Sequence, residues 1–295
     1  MHAPQPPTSS LPSGRLVGRL WVLAAALMWS SCGLFVKLGA FDDWSESARG
    51  PLLAFWRAFF AALVLWPAVR RPRWNVQLVP LTFCFAVMSV TYLTAIVRTT
   101  AANAVWLQAT SPWWVFLLSV LLFREPVVRR DLIPLCFGAL GVGTILWFEV
   151  QGEDVLGVAC GLASGATFGS VLIFMRRLRT ESSPWLMALC HSVVALMMLP
   201  WVIWIGIRPS LLQVAVLAAF GALQMAIPYL FMMRGLRFIS SQEAVAIGLL
   251  EPTLMPLWVF LVGRETPAWW TILGAALILT GLALRYVVLE WWGRR

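Results

Sequence analysis

A few polar and charged side chains interrupt otherwise apolar stretches of this sequence, and they are the first candidates for chemistry. Gln108 and Ser111 recur at helical spacing with two alanines, which predicts one small, polar helix face. Gln224 and Glu251 each stand inside another apolar stretch. Amide, hydroxyl and carboxylate groups could hydrogen-bond the amino or carboxylate group of a solute, and Glu251 could also carry a proton. A structural role as a neutral or paired carboxyl group is the alternative for Glu251. Helix packing through small and polar residues explains Gln108 and Ser111 equally well.

Aromatic rings are the second type of candidate. Trp29, Trp114 and Phe168 lie near the middle of their apolar stretches, and Tyr92 and Tyr229 are two of only three tyrosines. A cavity walled by such rings would suit apolar or aromatic parts of a solute through burial and stacking, and the tyrosines could act as gates. Ordinary packing explains the three rings equally well, and a hydrogen bond to neighbouring backbone explains the tyrosines nearly as well.

Three prolines inside the apolar stretches are candidate hinges. Pro112, Pro228 and Pro252 each remove a backbone hydrogen bond and free a carbonyl one turn earlier. Such breaks permit bending as well as polar contact with a solute. A static kink is an equally good interpretation.

Catalysis, by contrast, is not favoured by the residues present. The five cysteines lie far apart in apolar runs, and His2 and His191 are the two histidines. We find no paired midplane carboxylates, His-rich motif, phosphate-binding glycine loop or nucleotide-binding motif. We therefore expect no cofactor, no metal and no use of ATP by this chain. An intramembrane enzyme acting on lipid-linked substrates stays a remote alternative, as does a purely structural or receptor role.

The amino-acid composition indicates which kind of secondary-structure element positions these residues. Hydrophobic residues make up 60% of the chain and charged residues 12%, too few to cover a water-soluble globule. A bilayer core needs about 20 apolar residues per helix. Ten apolar stretches are bounded by charge, proline or glycine, and each predicts a transmembrane helix: 19–38, 52–69, 76–97, 101–123, 131–148, 155–175, 185–205, 210–233, 243–262 and 267–289.

The net charge of +9 is a topology signal rather than a sign of nucleic-acid binding. Sixteen arginines fall in one alternate set of loops and termini, whereas the other set holds five basic residues: Lys37, Arg49, Arg98, Arg208 and Arg264. The positive-inside rule then places both termini in the cytoplasm. Residues 1–18, rich in proline and serine, are expected to form a disordered cytoplasmic tail, and 290–295 a cytoplasmic C-terminus.

The two halves of the chain also repeat. At an offset of 140 residues, Ala104-Val105 pairs with Ala244-Val245, Ser111-Pro112 with Glu251-Pro252, and Arg124-Glu125 with Arg264-Glu265. With small shifts Trp29-Ser30-Ser31 pairs with Phe168-Gly169-Ser170, Arg57 with His191, and Tyr92 with Tyr229. This predicts two five-helix repeats, 19–148 and 155–289. Because five is odd, the second copy is inverted, as in many secondary transporters.

These motifs, with the run Gly274-Ala275-Ala276-Leu277-Ile278-Leu279-Thr280-Gly281, resemble the drug/metabolite transporter superfamily of the EamA type. The length and the Trp29-Ser30 start are similar to its bacterial amino-acid exporter branch. The resemblance implies a central cavity lined by helices 1, 3, 4, 6, 8 and 9, with Arg57 and His191 outside its main wall. A buried pair or snorkelling would then explain these two residues. The chain departs from the family in carrying Ser111 where glutamate often precedes the proline.

From these features we predict an all-α membrane protein, ten transmembrane helices in two inverted five-helix repeats around a central cavity. We predict that it exports small neutral solutes, above all amino acids including aromatic and hydrophobic ones, across a bacterial inner membrane. Its partners are then a small-molecule substrate and the lipid bilayer. A broad-specificity exporter of drugs or other metabolites is the alternative. Facilitated diffusion and proton antiport both stay open.

Overall fold

The computed structural model describes residues 12–70, 72–123, 132–149, 155–239, 244, 247, 248 and 250–284. These residues form helices joined by short connections. The helices are α1 (Pro12–Ser30), α2 (Cys32–Lys37), α3 (Glu46–Leu65), α4 (Leu78–Arg98), α5 (Ala101–Gln108), α6 (Ser111–Phe123), α7 (Leu132–Glu149), α8 (Val155–Arg177), α9 (Ser183–Ile205), α10 (Leu211–Ala219), α11 (Ile227–Gly235), α12 (Leu250–Leu261) and α13 (Trp269–Ala283). A 3₁₀ turn (Trp66–Ala68) follows α3, and a π-helical segment (Phe220–Ala226) joins α10 to α11.

The helices are long and apolar enough for a multi-pass membrane protein. Within the described residues six helical stretches meet the length and hydropathy of a span: Gly14–Lys37, Glu46–Ala68, Leu78–Arg98, Val155–Arg177, Ser183–Ile205 and Leu211–Gly235. Shorter apolar helices cover Cys136–Ile145, Leu250–Leu261 and Trp269–Gly281. Large apolar side chains such as Val79, Ile203 and Trp204 are exposed on the outside of the helices, as lipid contact requires. All ten predicted stretches contain helix, and the count of ten spans stays a prediction.

The first helix begins earlier than the sequence predicted. α1 starts at Pro12, so residues 12–18 of the predicted disordered tail are helical. Proline fits the first turn of a helix because its missing N–H needs no partner there. Residues 1–11, the Arg124-Glu125 pair and the predicted C-terminal segment 290–295 lie outside the described residues.

Several predicted spans are discontinuous. The first is broken at Ser31, where the hydroxyls of Ser30 and Ser31 donate to the carbonyls of Leu27 and Met28 at 2.7 and 2.6 Å. The fourth is broken between α5 and α6, just before Pro112. The eighth changes to π-helical geometry just before Pro228. Such breaks bring polar backbone groups into the interior of the bundle.

The helices pack in matched pairs. α3 lies along α9 and α7 along α13, whereas α4 lies along α8 and α1 along α11. The crossing of α7 and α13 is close, because a Cβ on Gly141 would lie 2.5 Å from the carbonyl oxygen of Gly274. The contacts among α1, α3, α4 and the π-helical segment enclose the side chains described next.

Candidate functional site

A group of polar and aromatic side chains lies where α1, α2, α3, α4, the π-helical segment and α11 meet. We call it the central cluster, and its members are Trp29, Cys32, Arg57, Ser89, Gln224 and Tyr229. Three of these residues, Trp29, Gln224 and Tyr229, were predicted from the sequence as substrate-binding candidates. The structure therefore brings residues from both halves of the chain into one site.

Arg57 is at the centre of this cluster and is 1% exposed. Its Nη2 donates to the Ser89 hydroxyl at 2.9 Å, and its Nη1 approaches the Gln224 amide oxygen at 3.4 Å and the Cys32 sulfur at 3.8 Å. The guanidinium also lies over the ring of Phe220, 5.4 Å from its centroid. Its Nε has no hydrogen-bond partner in the described part of the chain. Among the residues that the structure describes, one contact of normal length thus serves a group with five N–H donors.

Gln224 connects Arg57 to the first helix. Its amide oxygen faces Arg57, and its amide nitrogen donates to the Trp29 carbonyl oxygen at 3.4 Å. Gln224 belongs to the π-helical segment, which packs closely on α3: a Cβ on Gly221 would lie 2.7 Å from the carbonyl oxygen of Arg57. Isolated π-helical turns occur often at functional sites, since they re-aim side chains within a helix. Here the segment aims an amide at the buried cation.

Trp29 and Tyr229 form an edge-to-face ring pair beside this polar group. Their centroids are 5.1 Å apart and their planes are inclined by 71°. Both side chains are partly buried, and the pair joins α1 to α11. Paired rings of this kind give a solute an apolar surface with a defined shape.

Glu251 and Tyr92 are placed near the central cluster from another direction. Tyr92 is buried, and its hydroxyl lies 3.5 Å from the sulfur of Met255, one turn after Glu251 on α12. Glu251 interacts electrostatically with Cys32, Tyr92 and Tyr229. Arg57 interacts electrostatically with the same three side chains. Cys32, Tyr92 and Tyr229 are therefore in the field of both ionisable groups.

The predicted polar face of the fourth span has a different environment. The carbonyl oxygens of Gln108 and Ser111 and the Cβ of Trp114 lie against α8, where a Cβ on Gly165 or Gly169 would come within 3.3 Å of these atoms. Close approach of helices through glycine is typical of membrane packing. Ser111 is buried, Gln108 and Trp114 are partly buried, and Phe168 packs on buried side chains of α4, α9 and neighbouring helices. These contacts fit the helix-packing interpretation of this face, and substrate binding by Gln108, Ser111, Trp114 and Phe168 stays a prediction.

The candidate hinges differ from one another. Pro112 follows the interruption between α5 and α6, and Pro228 follows the π-helical segment. Pro252 lies in the first turn of α12, which continues through Pro256. Helical geometry is therefore disturbed before two of the three prolines, and α12 runs on past the third.

A salt bridge with two additional hydrogen bonds connects several elements at the end predicted to face away from the cytoplasm. We call it the outer cluster: Lys37, Thr99, Ala101 and Glu265. Lys37 Nζ lies 2.6 Å from Glu265 Oε1 and donates to the Thr99 carbonyl oxygen at 2.9 Å. Glu265 Oε2 accepts from the backbone N–H of Ala101, the first residue of α5, at 2.8 Å. The outer cluster therefore joins α2, the start of α5 and the connection after α12.

A cleft of about 530 Å³ opens at the opposite end. Three arginines line it, Arg70, Arg234 and Arg237, together with Leu230, which is the residue next to Tyr229. This is the end that the positive-inside rule predicts to face the cytoplasm, and its arginines give it a positive field.

Sequence reasoning missed Arg57 and Ser89. The expected explanations for Arg57 were a buried pair, as with His191, or snorkelling. The structure shows it buried with Ser89 and Gln224, and no hydrogen bond joins it to His191 in the described residues. His191 is buried beside Phe85, with neither ring nitrogen hydrogen-bonded within that same part of the chain. The sequence did contain a signal for Arg57, namely an arginine in the middle of a predicted span. A charge inside the membrane is costly, so such a residue is a candidate for a functional role.

Comparisons with known proteins show a family for this chain and a fold that it shares with a solved structure. The sequence profile of the EamA-like transporter family matches the chain twice, over residues 16–147 and 155–287. An uncharacterized transporter of Archaeoglobus fulgidus is 25% identical over 272 residues, which are 91% of this chain and 96% of the archaeal protein. One solved crystal structure superposes with a TM-score of 0.63 at 19% identity, over 95% of this chain and 99% of the other, and shows a common fold.

Proposed function

The chain belongs to the EamA-like transporter family, and we propose that it is a secondary transporter that exports small neutral solutes by alternating access. The proposed solutes are amino acids, including aromatic and hydrophobic ones. The proposed location is a bacterial inner membrane with both termini in the cytoplasm. Export rather than import is proposed because the Trp29-Ser30 start is similar to the exporter branch of the superfamily.

The central cluster is the observation that carries this proposal. It combines the Trp29–Tyr229 ring pair with the polar side chains of Gln224 and Arg57, inside a bundle whose outer surface is apolar. An amino acid with an apolar side chain has the same two parts, a polar head and an apolar body. Rings favour the body through burial and stacking, and the polar groups replace water around the head.

Three observations support the inverted repeat. The family profile matches two consecutive segments of nearly equal length. If a two-fold axis relates spans 1–5 to spans 6–10, span 2 corresponds to span 7 and span 5 to span 10. These spans are in contact in the structure, as α3 with α9 and α7 with α13. Gly18 packs against the end of α11 as Gly157 packs against the end of α4. Such symmetry permits inward-open and outward-open states of similar energy.

The remaining candidates have proposed places around this centre. We assign Tyr92 and Glu251 to the side of the site opposite Arg57, where Glu251 would meet an amino group or a coupling proton. Gln108, Ser111, Trp114 and Phe168 form a more distant wall along α8. Bending near Pro112, Pro228 and Pro252 would let the helix bundles rock around the site.

The proposal is tested by uptake of radiolabelled phenylalanine into liposomes that contain the purified chain, with and without a pH gradient. We expect saturable uptake that other neutral amino acids compete. Trp29→Ala should raise the half-saturating concentration several-fold, since ring pairs contribute about 0.5–1.5 kcal/mol beyond burial. Trp204→Ala is the matched control, because Trp204 is 80% exposed at the end of α9.

The outcomes separate the proposed function from its alternative. Competition by unrelated amphiphiles as effective as by amino acids would favour a broad-specificity exporter of drugs or metabolites. Absence of amino-acid uptake by a correctly inserted chain would contradict the proposal. Equal kinetics for Trp29→Ala and Trp204→Ala would remove Trp29 from the site. A response to the pH gradient would assign proton coupling, with Glu251 as the first residue to substitute.

A further inference from the structure

Arg57 is a buried cation that the described protein leaves incompletely paired. Its guanidinium is fully charged at any physiological pH and has five N–H donors in a fixed plane. The described residues place one hydroxyl at 2.9 Å, two acceptors at 3.4 and 3.8 Å, and nothing on Nε. No carboxylate lies within ion-pair distance of it among the described residues. A charge at this depth is costly unless a partner neutralises it.

The chemistry of a guanidinium defines the missing partner. Its planar pairs of N–H groups match the two oxygens of a carboxylate, and such contacts are about twice as strong as neutral hydrogen bonds. The partners present, a serine hydroxyl, an amide oxygen and a thiol, are neutral acceptors that a carboxylate could displace or supplement. The long contacts at Nη1, together with the absence of a partner on Nε among the described residues, leave both of these donors able to bind a stronger partner.

We propose that Arg57 holds the carboxylate of the transported solute, so that a free carboxylate is required for recognition. This inference rests on the proposed function and adds the residue that determines specificity within it. The solute carboxylate would take the Nη1 edge beside Gln224, and its apolar body would face Trp29 and Tyr229. Its amino group would point towards Glu251, which lies on α12 one turn before Met255, the residue that the buried Tyr92 hydroxyl contacts.

The arginine-lined cleft, at the end opposite the outer cluster, also presents positive charge to a solute carboxylate. Arg70, Arg234 and Arg237 give it a positive field, which raises the local concentration of groups with negative charge. Leu230, which lines the cleft, is adjacent in sequence to Tyr229 of the central cluster. A zwitterionic amino acid has no net charge, so this field orients its carboxylate towards the arginines rather than concentrating the solute.

The test compares four related compounds on the purified full-length chain in nanodiscs. Radiolabelled phenylalanine is the probe, and the competitors are phenylalanine, phenylalaninamide, phenethylamine and 3-phenylpropanoate. We expect phenylalaninamide and phenethylamine to compete about 10- to 150-fold less well than phenylalanine, because they lack a charge-assisted partner for Arg57. We expect 3-phenylpropanoate, which keeps the carboxylate, to retain more competition than the two amines.

The variant Arg57→Gln should remove this discrimination. Its affinity for phenylalanine should fall about 10- to 150-fold, to the level that phenylalaninamide shows with the wild-type chain. Arg57→Lys should retain part of the preference, since lysine keeps the charge but not the planar fork. Arg49→Gln is the matched control, because Arg49 lies on the same helix and pairs with Asp42 at the outer end. A purely structural arginine would change stability without changing the ranking of the four compounds.

The wild-type chain alone can overturn the inference, whatever the folding of the variants. If phenylalaninamide or phenethylamine competes as well as phenylalanine, the carboxylate is not recognised and the inference is wrong. If Arg57→Gln folds and keeps the wild-type ranking, another residue holds the carboxylate. Absence of phenylalanine binding and uptake contradicts the proposed function itself, which is a different result from bound phenylalanine without discrimination.

Discussion

Two cations in the apolar bundle, Lys37 and Arg57, have opposite environments. Lys37 has a carboxylate at 2.6 Å and a carbonyl oxygen at 2.9 Å, and its side chain is 20% exposed. Arg57 is 1% exposed and has neutral partners, one of them at normal hydrogen-bond length. Burial is costlier for Arg57, yet Lys37 has the better partners. The charge at the outer end is therefore matched within the protein, whereas the charge at the centre has no carboxylate partner among the described residues and, in the inference above, is left for the solute.

This difference between Lys37 and Arg57 also assigns the two cations to different steps of the proposed transport cycle, opening of the outer end and binding of the solute. In the outer cluster the chain supplies its own counterion, so the contact can hold α2, α5 and the connection after α12 together. Under the proposed function, opening this end requires the Lys37–Glu265 pair to separate. In the central cluster the solute supplies the counterion, so occupancy changes the electrostatics of the site. Binding and opening would then depend on different ion pairs.

Breaking the outer pair should give the largest effect. Glu265→Ala leaves Lys37 with one carbonyl and leaves the Ala101 N–H without its acceptor. We expect a cost of roughly 2–3 kcal/mol to the closed outer end, or about 30- to 150-fold in its closed-to-open ratio. Cys32 is a native reporter, since it is wholly buried and lies 3.8 Å from Arg57. Its reaction with a membrane-impermeant thiol reagent added from outside should accelerate.

This measurement needs a chain in which Cys32 is the remaining cysteine, with alanine at positions 84, 136, 160 and 190. Glu46→Ala is the control, because Glu46 lies in the exposed first turn of α3. Equal labelling rates for the Glu265 and Glu46 variants would show that the outer cluster does not hold this end closed. Faster labelling from the opposite side alone would place the cluster at the cytoplasmic face and contradict the predicted orientation.

Removing the best partner of Arg57 should have an intermediate effect. Ser89→Ala takes away the hydrogen bond at 2.9 Å and leaves the guanidinium with its two long contacts. We expect a loss of roughly 1.5–2 kcal/mol in stability, near the lower end for hydrogen bonds to charged groups. Thermal unfolding of the purified chain measures it.

Thr91→Ala is the matched control for that measurement. Thr91 lies on the same helix, and its hydroxyl donates to the Val87 carbonyl of its own helix at 2.8 Å. Its loss should cost less, because no buried charge is left with fewer partners. Saturating phenylalanine should recover part of the stability lost in Ser89→Ala, since ligand binding stabilises the folded state. Equal effects of the two substitutions would mean that Arg57 does not depend on Ser89.

Much of the fold was predictable because apolar length and charge are local signals. The stretches 76–97, 155–175 and 185–205 correspond closely to α4, α8 and α9. Breaks near Pro112 and Pro228 follow from the missing N–H of proline. The break at Ser31 was not predicted, because whether a serine hydroxyl takes a helical carbonyl depends on what packs around it. Here Ser30 also accepts from Trp258 of α12 at 2.8 Å.

The site was predictable residue by residue but not as an arrangement. Trp29, Gln224 and Tyr229 were candidates because of their types and depth, yet their contacts depend on the packing of α1 against α11. Arg57 meets Ser89 and Gln224 at separations of 32 and 167 residues, which no local pattern reports. The expected position of Arg57 outside the cavity wall came from family resemblance alone, whereas an isolated intramembrane charge was the stronger physical signal.

The smallest effect is expected from the exposed ionic contacts next to the outer cluster. Asp42 is 61% exposed and lies 3.1 Å from Arg49 and 3.9 Å from Arg264. Asp42→Asn removes the charge but keeps an oxygen acceptor, and exposed pairs contribute about 0–1 kcal/mol because water competes for both partners. We therefore expect less than about a threefold change in the labelling rate of Cys32. If Asp42→Asn accelerated labelling as much as Glu265→Ala, the number of charges rather than their burial would hold the outer end closed. The contrast between Lys37 and Arg57 would then lose its physical basis.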